Sequence, residues 1–220
     1  MATFVLIHGG GSTSWDWHLV SPLLKDAGHD AVAVDLPIED PSATLDDYVR
    51  SVVIAVGART EVIVVGHSLG GFTAPLACAA LDAVGLVFLT AMIPAPGESF
   101  MQWWANTGHD QESVDDDPAV SFYNGVPDSL VAEAQRRERD QQGAWMSDPW
   151  PAERYPDVPT CAVVCRDDQF FPAQFMRRQI SDRLSITPVE IPGGHYAPLT
   201  HPGAIATALT AFADRIASAE

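Results

Sequence analysis

The sequence predicts an α/β fold in which helices cover both faces of a six-stranded, mostly parallel sheet. Six short apolar stretches alternate with amphipathic helical patterns, the order expected of a parallel sheet with right-handed crossovers. The stretch at 83–90 is apolar on both faces, as a central parallel strand should be. The alternation stops between about 93 and 158 and then resumes. We therefore expect one domain over residues 1–220 that carries an insertion.

The elements follow from local patterns in chain order. Strands are predicted where β-branched and other apolar residues run together, at 3–7, 31–34, 61–65, 83–90, 160–165 and 186–191. Helices are predicted where apolar residues recur every three to four positions, from about Leu19 to the stop at Gly28 and at 45–56, 69–81, 172–184 and 202–217. A charged helical stretch near 130–141 lies inside the insertion. We expect the insertion to form a helical cap over the carboxyl ends of the strands, where such sheets bind ligands.

The composition excludes several kinds of partner. The chain has 220 residues, 47% of them apolar, which is enough for a substantial core. No apolar run approaches the ~20 residues that a membrane span needs. The net charge of −17 repels phosphate backbones and anionic lipid, so neither nucleic acid nor a membrane is an expected partner.

Three further features bear on location and source. No export signal is visible at the N-terminus. The cysteines are odd in number and lack a CxxC spacing, which is typical of reduced, buried thiols and of a cytoplasmic protein: Cys78, Cys161 and Cys165. Lys25 is the only lysine among the twelve basic residues, and this arginine- and alanine-rich usage is typical of a GC-rich bacterial source.

A serine stands between glycines where the third predicted strand ends. The sequence there is Gly66-His67-Ser68-Leu69-Gly70-Gly71, with a strand before it and a helical pattern after it. A Cβ at 66 or 70 would collide with the adjoining backbone, so glycines permit a tight, strained turn that lifts the serine hydroxyl clear of the sheet. The alternative is a tight turn with an incidental serine. The context favours Ser68 as a nucleophile.

A serine hydroxyl needs a base to take its proton, and the base needs a group that fixes its tautomer. His195 follows a Gly-Gly turn after the last predicted strand, and it is the best base among the seven histidines. The acid is Asp167 or Asp168, after the fifth strand. We choose Asp168, and Asp167 would then face solvent or brace Arg166. The loop that carries the acid and the loop that carries His195 both follow the carboxyl ends of predicted strands, so we expect them on the same edge of the sheet as Ser68.

Attack on a carbonyl creates an oxyanion, which two N–H donors should meet. One is Leu69, directly after the serine, and the other lies in the glycine-rich 8–11 loop, most simply Gly10. That loop lacks the G-x-G-x-x-G spacing of dinucleotide binding, and no histidine, cysteine or carboxylate grouping has metal-ligand spacing. We therefore expect no cofactor and no metal.

The insertion is rich in aromatic residues. As a set they predict a pocket for an apolar or aromatic acyl or alkoxy group, although any single one could instead anchor the cap to the sheet. The set comprises Trp103, Trp104, Phe122, Tyr123, Trp145 and Trp150.

Taken together, these motifs resemble the α/β-hydrolase superfamily, and in particular its compact branch of plant methyl-ester esterases, hydroxynitrile lyases and bacterial relatives. The resemblance extends over the whole chain. It implies a helical cap. This chain departs from the family pattern by beginning at the family's third strand, so we expect the first two strands to be absent. The resemblance also implies these roles: Ser68 nucleophile, His195 base, Asp168 acid, Gly10 and Leu69 oxyanion donors. The lyases of that branch carry a lysine directly after the histidine, where this chain has Tyr196, which argues against lyase activity.

The expected function is that of a serine hydrolase that cleaves a small carboxylic ester through an acyl-enzyme on Ser68. Lactone, thioester or carbon–carbon bond hydrolysis are subsidiary options. Two alternatives use the same fold: a ligand-binding or sensor protein, and a non-hydrolytic enzyme of the lyase or cyclase type. The expected partner is a small-molecule ester, and a homodimer is one option for the assembly.

Overall fold

The computed structural model describes residues 1–109 and 114–218. Its sheet has six strands in the order β2-β1-β3-β4-β5-β6, and every neighbouring pair is parallel. The predicted α/β fold class is therefore confirmed, and this sheet is parallel throughout. The strands are β1 Thr3–Ile7, β2 Asp30–Val34, β3 Val62–His67, β4 Gly85–Leu89, β5 Thr160–Cys165 and β6 Val189–Ile191.

Helices cover both faces of the sheet, because successive strand side chains point to opposite sides. Val5 and Ile7 belong to one core with the helices over 45–56, 74–80 and 173–184, whereas Phe4 and Leu6 belong to a second core with the helices over 20–26 and 202–217. The helices are α1 Val20–Asp26, α2 Leu45–Val56, α3 Ala74–Ala80, α4 Phe100–Thr107, α5 Pro118–Ser121, α6 Asp128–Arg137, α7 Ala173–Leu184, α8 Ala197–Thr200 and α9 Pro202–Ala217.

Several elements differ from the sequence prediction in length; the strand predicted over 83–90, for example, is Gly85–Leu89. The helix predicted over 69–81 is divided into a single 3₁₀ turn, Ser68–Gly71, and the seven-residue α3. The edge strand β6 has only three residues, since Pro188 before it has no N–H to give to the ladder. Helix α6 ends at Arg137 instead of continuing to 141, and the chain then turns back toward β1.

The cap segment, residues 93–158, joins β4 to β5 and is anchored by buried indoles. Trp103, Trp145 and Trp150 are at most 2% exposed. The Trp103 Nε1–H donates to Gln179 Oε1 on α7 at 3.1 Å, and the Trp150 Nε1–H donates to the carbonyl of Phe72 at 2.9 Å. These contacts hold both ends of the cap segment against the sheet.

A buried ion pair fixes the start of the cap segment to α7. The side chains of Glu98 and Arg183 are 3% and 14% exposed, and Arg183 Nη2 donates to Glu98 Oε1 at 2.8 Å. The same carboxylate accepts hydrogen bonds from the backbone N–H of Ala95 and from Asn106 Nδ2. Burial by itself raises the pKa of Glu98. The hydrogen bonds from these donors, of which that from Arg183 has the largest effect, hold the pKa below its ordinary value.

The described ranges contain no helix that is long and apolar enough to cross a membrane. The three cysteines are free and buried: Cys78, Cys161 and Cys165. Burial raises the pKa of the Cys78 thiol to about 12, so this thiol is a core group and not a nucleophile.

Replacing Arg183 by methionine tests the anchor. The substitution leaves the Glu98 carboxylate buried without its cation, so the free energy of unfolding should fall by roughly 3–5 kcal/mol, measured by urea denaturation. Arg177→Met on the same helix is the control, because the Arg177–Glu190 pair is 49% and 31% exposed and should contribute less than about 1 kcal/mol. Equal losses in the two variants would show that the buried pair has no special role.

Candidate active site

Ser68 lies in a strained turn at the carboxyl end of β3. Its φ of 51° is in the left-handed region that side chains usually avoid. A Cβ on Gly66 would lie 2.7 Å from the Cβ of Ala74, and a Cβ on Gly70 would lie 2.7 Å from the carbonyl oxygen of His8. The steric prediction for both glycines is confirmed. The turn presents the serine at the sheet edge while its neighbours pack against the first-strand loop.

Hydrogen bonds join Ser68, His195 and Asp168 in series. His195 Nε2 lies 2.9 Å from Ser68 Oγ, and His195 Nδ1 lies 2.9 Å from Asp168 Oδ2. All three residues are buried, at 8%, 2% and 3% exposure. Because the carboxylate accepts from Nδ1, the proton of the neutral imidazole lies on Nδ1. Nε2 then offers its lone pair to the serine O–H.

The two candidate aspartates have different partners. Asp168 Oδ1 accepts the backbone N–H groups of Phe170 at 2.9 Å and Phe171 at 2.8 Å, which leaves Oδ2 toward the imidazole. Asp167 does not reach His195. Its carboxylate accepts the N–H of Gly193 at 2.9 Å, at the start of the loop that carries the histidine. Asp167 is exposed, in agreement with the expectation that it would face solvent, but its contact with the histidine loop was not predicted.

The glycine-rich loop after β1 lies beside the serine hydroxyl. A Cβ on Gly9 would lie 3.5 Å from Ser68 Oγ, and a Cβ on Gly10 would lie 3.1 Å from Leu69 Cδ2. The absence of side chains thus allows this backbone to approach the serine closely. Gly10 and Leu69, the two predicted N–H donors, therefore lie next to each other, and Leu69 directly follows Ser68.

Residues of the cap segment hold this loop from outside. Arg139 N donates to the Gly11 carbonyl at 2.9 Å, and its guanidinium donates to the carbonyls of Ser12 and Leu36 at 2.9 and 3.0 Å. The N–H of Gly11 donates to Gln141 Oε1 at 3.4 Å. Sequence reasoning missed this bracing, since nothing distinguishes Arg139 from the neighbouring arginines of a charged stretch.

Two neutral histidines, His8 and His67, form hydrogen bonds with backbone groups near the site. His67 Nε2–H donates to the carbonyl of His195 at 3.0 Å, and His8 Nε2 accepts the N–H of Leu36 at 3.1 Å. Burial is the main reason why the pKa of His67 falls to about 3 and that of His8 to about 4. Both therefore serve as uncharged hydrogen-bonding groups.

The predicted pocket residues fall into two groups. A cavity of about 220 Å³ opens next to the glycine loop, lined by Gly10, Gly11, Pro118, Phe122, Tyr123, Glu138 and Tyr196. The Phe122 ring lies 5.5 Å from that of His195, and Tyr123 stacks on Tyr196 at 4.8 Å.

Four of the six predicted pocket residues do not line this cavity. Trp103, Trp145 and Trp150 are buried in the core that anchors the cap segment. Trp104 is half-buried and packs edge-on against Phe100 and Trp103. For these tryptophans the anchoring alternative is correct, because covering the sheet requires large apolar side chains from the cap segment.

A buried carboxyl that the sequence did not suggest lies close to the histidine. Asp16 is 4% exposed, and its Oδ2 has no hydrogen-bond partner among the described residues. Burial raises the pKa of Asp16 to about 7, opposed by a hydrogen bond with Ser12 and by the charge of His195. Ser12 Oγ in turn lies 3.0 Å from the hydroxyl of Tyr196. An acidic residue in a Trp-Asp-Trp run gives no sequence signal of burial.

Within residues 1–109 and 114–218, no group of three or more histidine, cysteine or acidic side chains could hold a metal ion. The site therefore offers an alcohol, an imidazole held by a carboxylate, and backbone N–H groups. This set is suited to nucleophilic attack on a carbonyl.

A parallel α/β sheet with a serine elbow, followed in chain order by an acid loop and a histidine loop, defines an α/β hydrolase. A model of the Alpha/beta hydrolase family matches residues 4–208, and the chain belongs to this family. It is therefore an enzyme of the hydrolase class, and the resemblance drawn from the motifs is confirmed.

Similar proteins extend over nearly the whole chain. Salicylic acid-binding protein 2 of Nicotiana tabacum is 28% identical over 257 residues, covering 96% of this chain and 97% of that protein. Polyneuridine aldehyde esterase of Rauvolfia serpentina is 26% identical over 79% of this chain and 81% of that protein. The crystal structure of a polyneuridine aldehyde esterase covers 96% of this chain and 98% of its own, with a TM-score of 0.81 at 23% identity. A pyrethroid hydrolase from Sphingobium faniae covers 97% of both chains, with a TM-score of 0.80 at 24% identity. The two structures share the fold.

Asp16→Asn tests the buried carboxyl. Since the folded-state pKa is raised, the native protein binds a proton that the unfolded chain releases between about pH 4 and 7, and the contribution of Asp16 to wild-type stability falls over that interval. The uncharged amide of the variant carries no such penalty. The stability of the variant relative to wild type should therefore rise by about 4 kcal/mol between pH 4 and pH 8, in urea denaturation at several pH values.

The exposed Asp46→Asn variant is the control for this comparison. The stability of Asp46→Asn relative to wild type should not rise with pH in the way expected for Asp16→Asn. A pH-independent difference between wild type and Asp16→Asn would contradict the assignment of a protonated carboxyl at position 16.

Proposed function

We propose that the protein is a serine carboxylesterase that cleaves a small ester with an apolar or aromatic group through an acyl-enzyme. The observation that carries the proposal is the hydrogen-bonded series from Ser68 Oγ through His195 to Asp168 Oδ2, with the serine in a strained turn. The family membership supports hydrolysis as the reaction type.

In the proposed reaction, His195 Nε2 takes the proton as Ser68 Oγ attacks the ester carbonyl carbon. The oxygen that becomes negative faces the N–H groups of Gly10 and Leu69, each worth about 3 kcal/mol of barrier. The carbon–oxygen bond to the alkoxy group breaks, and the alcohol leaves with the proton from Nε2. Water, activated by the same nitrogen, then attacks the acyl-enzyme and releases the carboxylic acid.

The proposed substrate is small. The cavity beside the glycine loop measures about 220 Å³ and has two aromatic residues in its wall, Phe122 and Tyr123. Pockets for drug-sized ligands usually start near 300 Å³. A short acyl or small aromatic group suits this volume, and relatives named as esterases support an ester as the bond cleaved.

Ligand binding without turnover is a second candidate, since one relative is named as a salicylic acid-binding protein. The lyase alternative lacks support, because Tyr196 occupies the position after the histidine. Burial raises the pKa of Tyr196, and its ring stacks on Tyr123. This position therefore supplies an uncharged group.

Ser68→Ala tests the esterase proposal. A fluorophosphonate probe should label the wild-type protein, and the variant should lose both labelling and at least about 10⁴-fold of the p-nitrophenyl acetate turnover. Ser181→Ala, at an exposed serine on α7, is the control and should behave as wild type. Unchanged turnover in Ser68→Ala would overturn the proposal.

Binding without catalysis predicts a different result. A ligand such as salicylate would then bind both wild type and Ser68→Ala in calorimetry, while a panel of p-nitrophenyl esters of rising chain length would give no serine-dependent turnover.

A further inference from the structure

Thr90 has an unusual backbone conformation directly after β4. Its φ of 35° is positive, which glycine adopts readily and a β-branched residue does not. The residue is fully buried, and its backbone N–H donates to the Val163 carbonyl on β5 at 2.8 Å. Strained residues held by their surroundings concentrate at functional sites.

The Thr90 side chain reaches the acid of the candidate site. Thr90 Oγ1 donates to Asp168 Oδ2 at 2.6 Å, the same oxygen that accepts from His195 Nδ1 at 2.9 Å. Oδ1 is occupied by the two N–H groups of Phe170 and Phe171. The carboxylate therefore has donors on both oxygens, and the threonine controls the oxygen that faces the imidazole.

We propose that Thr90 is a positioning residue whose hydroxyl holds Asp168 Oδ2 in line with His195 Nδ1. The inference rests on the proposed function in so far as it concerns rate. Glycine or asparagine would relieve the backbone strain at this φ, but neither would supply a hydroxyl at this point. Sharing Oδ2 between two donors also reduces the negative charge that this oxygen presents to the imidazole.

Removing the hydroxyl has two consequences. The Asp168 carboxylate becomes free to rotate, so that Oδ2 no longer stays in line with His195 Nδ1. This lowers the rate of the reaction without affecting substrate binding. Oδ2 also becomes a stronger acceptor toward the imidazole, so His195 retains a proton to higher pH. A base that stays protonated is inactive, so the acidic limb of the pH–rate profile moves to higher pH.

Other titratable groups lie around the Asp168–His195 pair, and none of them is substituted in the test below. His67 comes from β3, with its ring 5.0 Å from that of His195. Asp16 interacts electrostatically with His195, the Tyr196 ring lies 6.0 Å from that of His195, and Cys165 and Asp167 precede Asp168 along the chain. A shift of the profile on changing residue 90 alone is thus attributable to the lost hydrogen bond.

The test compares Thr90→Val, which is nearly isosteric but lacks the hydroxyl, with Thr90→Ser, which keeps it. For p-nitrophenyl acetate, Thr90→Val should lower kcat about tenfold with KM unchanged and move the acidic limb of kcat/KM up by about one pH unit. Thr90→Ser should keep the wild-type profile. Thr207→Val, at an exposed threonine on α9, is the control and should match wild type.

A second measurement separates this proposal from the proposed function. The Nδ1 proton of His195 should give a downfield NMR signal in the full-length protein, whether or not any ester is cleaved. That signal should move in Thr90→Val and stay in place in Thr90→Ser. Should Thr90→Val fail to fold, the serine and alanine variants provide the same comparison. An unmoved signal with wild-type kinetics in Thr90→Val, or equal loss in Thr90→Val and Thr90→Ser, would overturn the assignment.

Discussion

The arrangement depends on a carboxylate that is charged and almost completely buried. Burying an ionised carboxylate is costly unless donors surround it. Asp168 is 3% exposed and accepts from Thr90, His195 and the two N–H groups of the Phe170–Phe171 turn. These donors come from the end of β4, the loop after β5 and the loop after β6. Satisfying one buried charge therefore requires three strand ends to meet at a single point, which a parallel sheet provides.

The second requirement of this arrangement is that the backbone of the elbow approaches the backbone of the loop after β1 closely. The elbow packs against the first-strand loop at distances that only glycine permits, so the proposed oxyanion donors and the proposed nucleophile lie in one closely packed unit. The cap segment completes this unit from outside, through Arg139 and Gln141. A loop held by backbone hydrogen bonds on both sides needs little rearrangement when charge develops, and such preorganisation is the main source of electrostatic catalysis.

The sequence was informative where residue type alone determines the outcome. Apolar runs located all six strands, and glycine spacing located the elbow, because both depend on local sterics. The sequence favoured Asp168 over Asp167, but only the structure shows which carboxylate faces His195, since adjacent aspartates differ only in the direction of their side chains. Asp16 and Thr90 were not found, because burial and a positive φ arise from tertiary packing. The tryptophans were ambiguous for a related reason: an indole that lines a cavity and one that anchors a helix look identical in a sequence.

Two neighbours of His195, His67 and Tyr196, are uncharged, and this bears on which chemistry the site favours. His67 is neutral because its pKa is low, and Tyr196 is neutral because its pKa is raised. The residue directly after His195 is a tyrosine and not a lysine or arginine. A reaction that needs a fixed cation beside the base gains nothing from these neighbours. Acyl transfer needs only an imidazole that cycles between neutral and protonated forms and N–H donors for a transient oxyanion. With Asp168 stabilising the protonated imidazole, the site meets that requirement, which is why we favour ester hydrolysis over the alternatives on this fold.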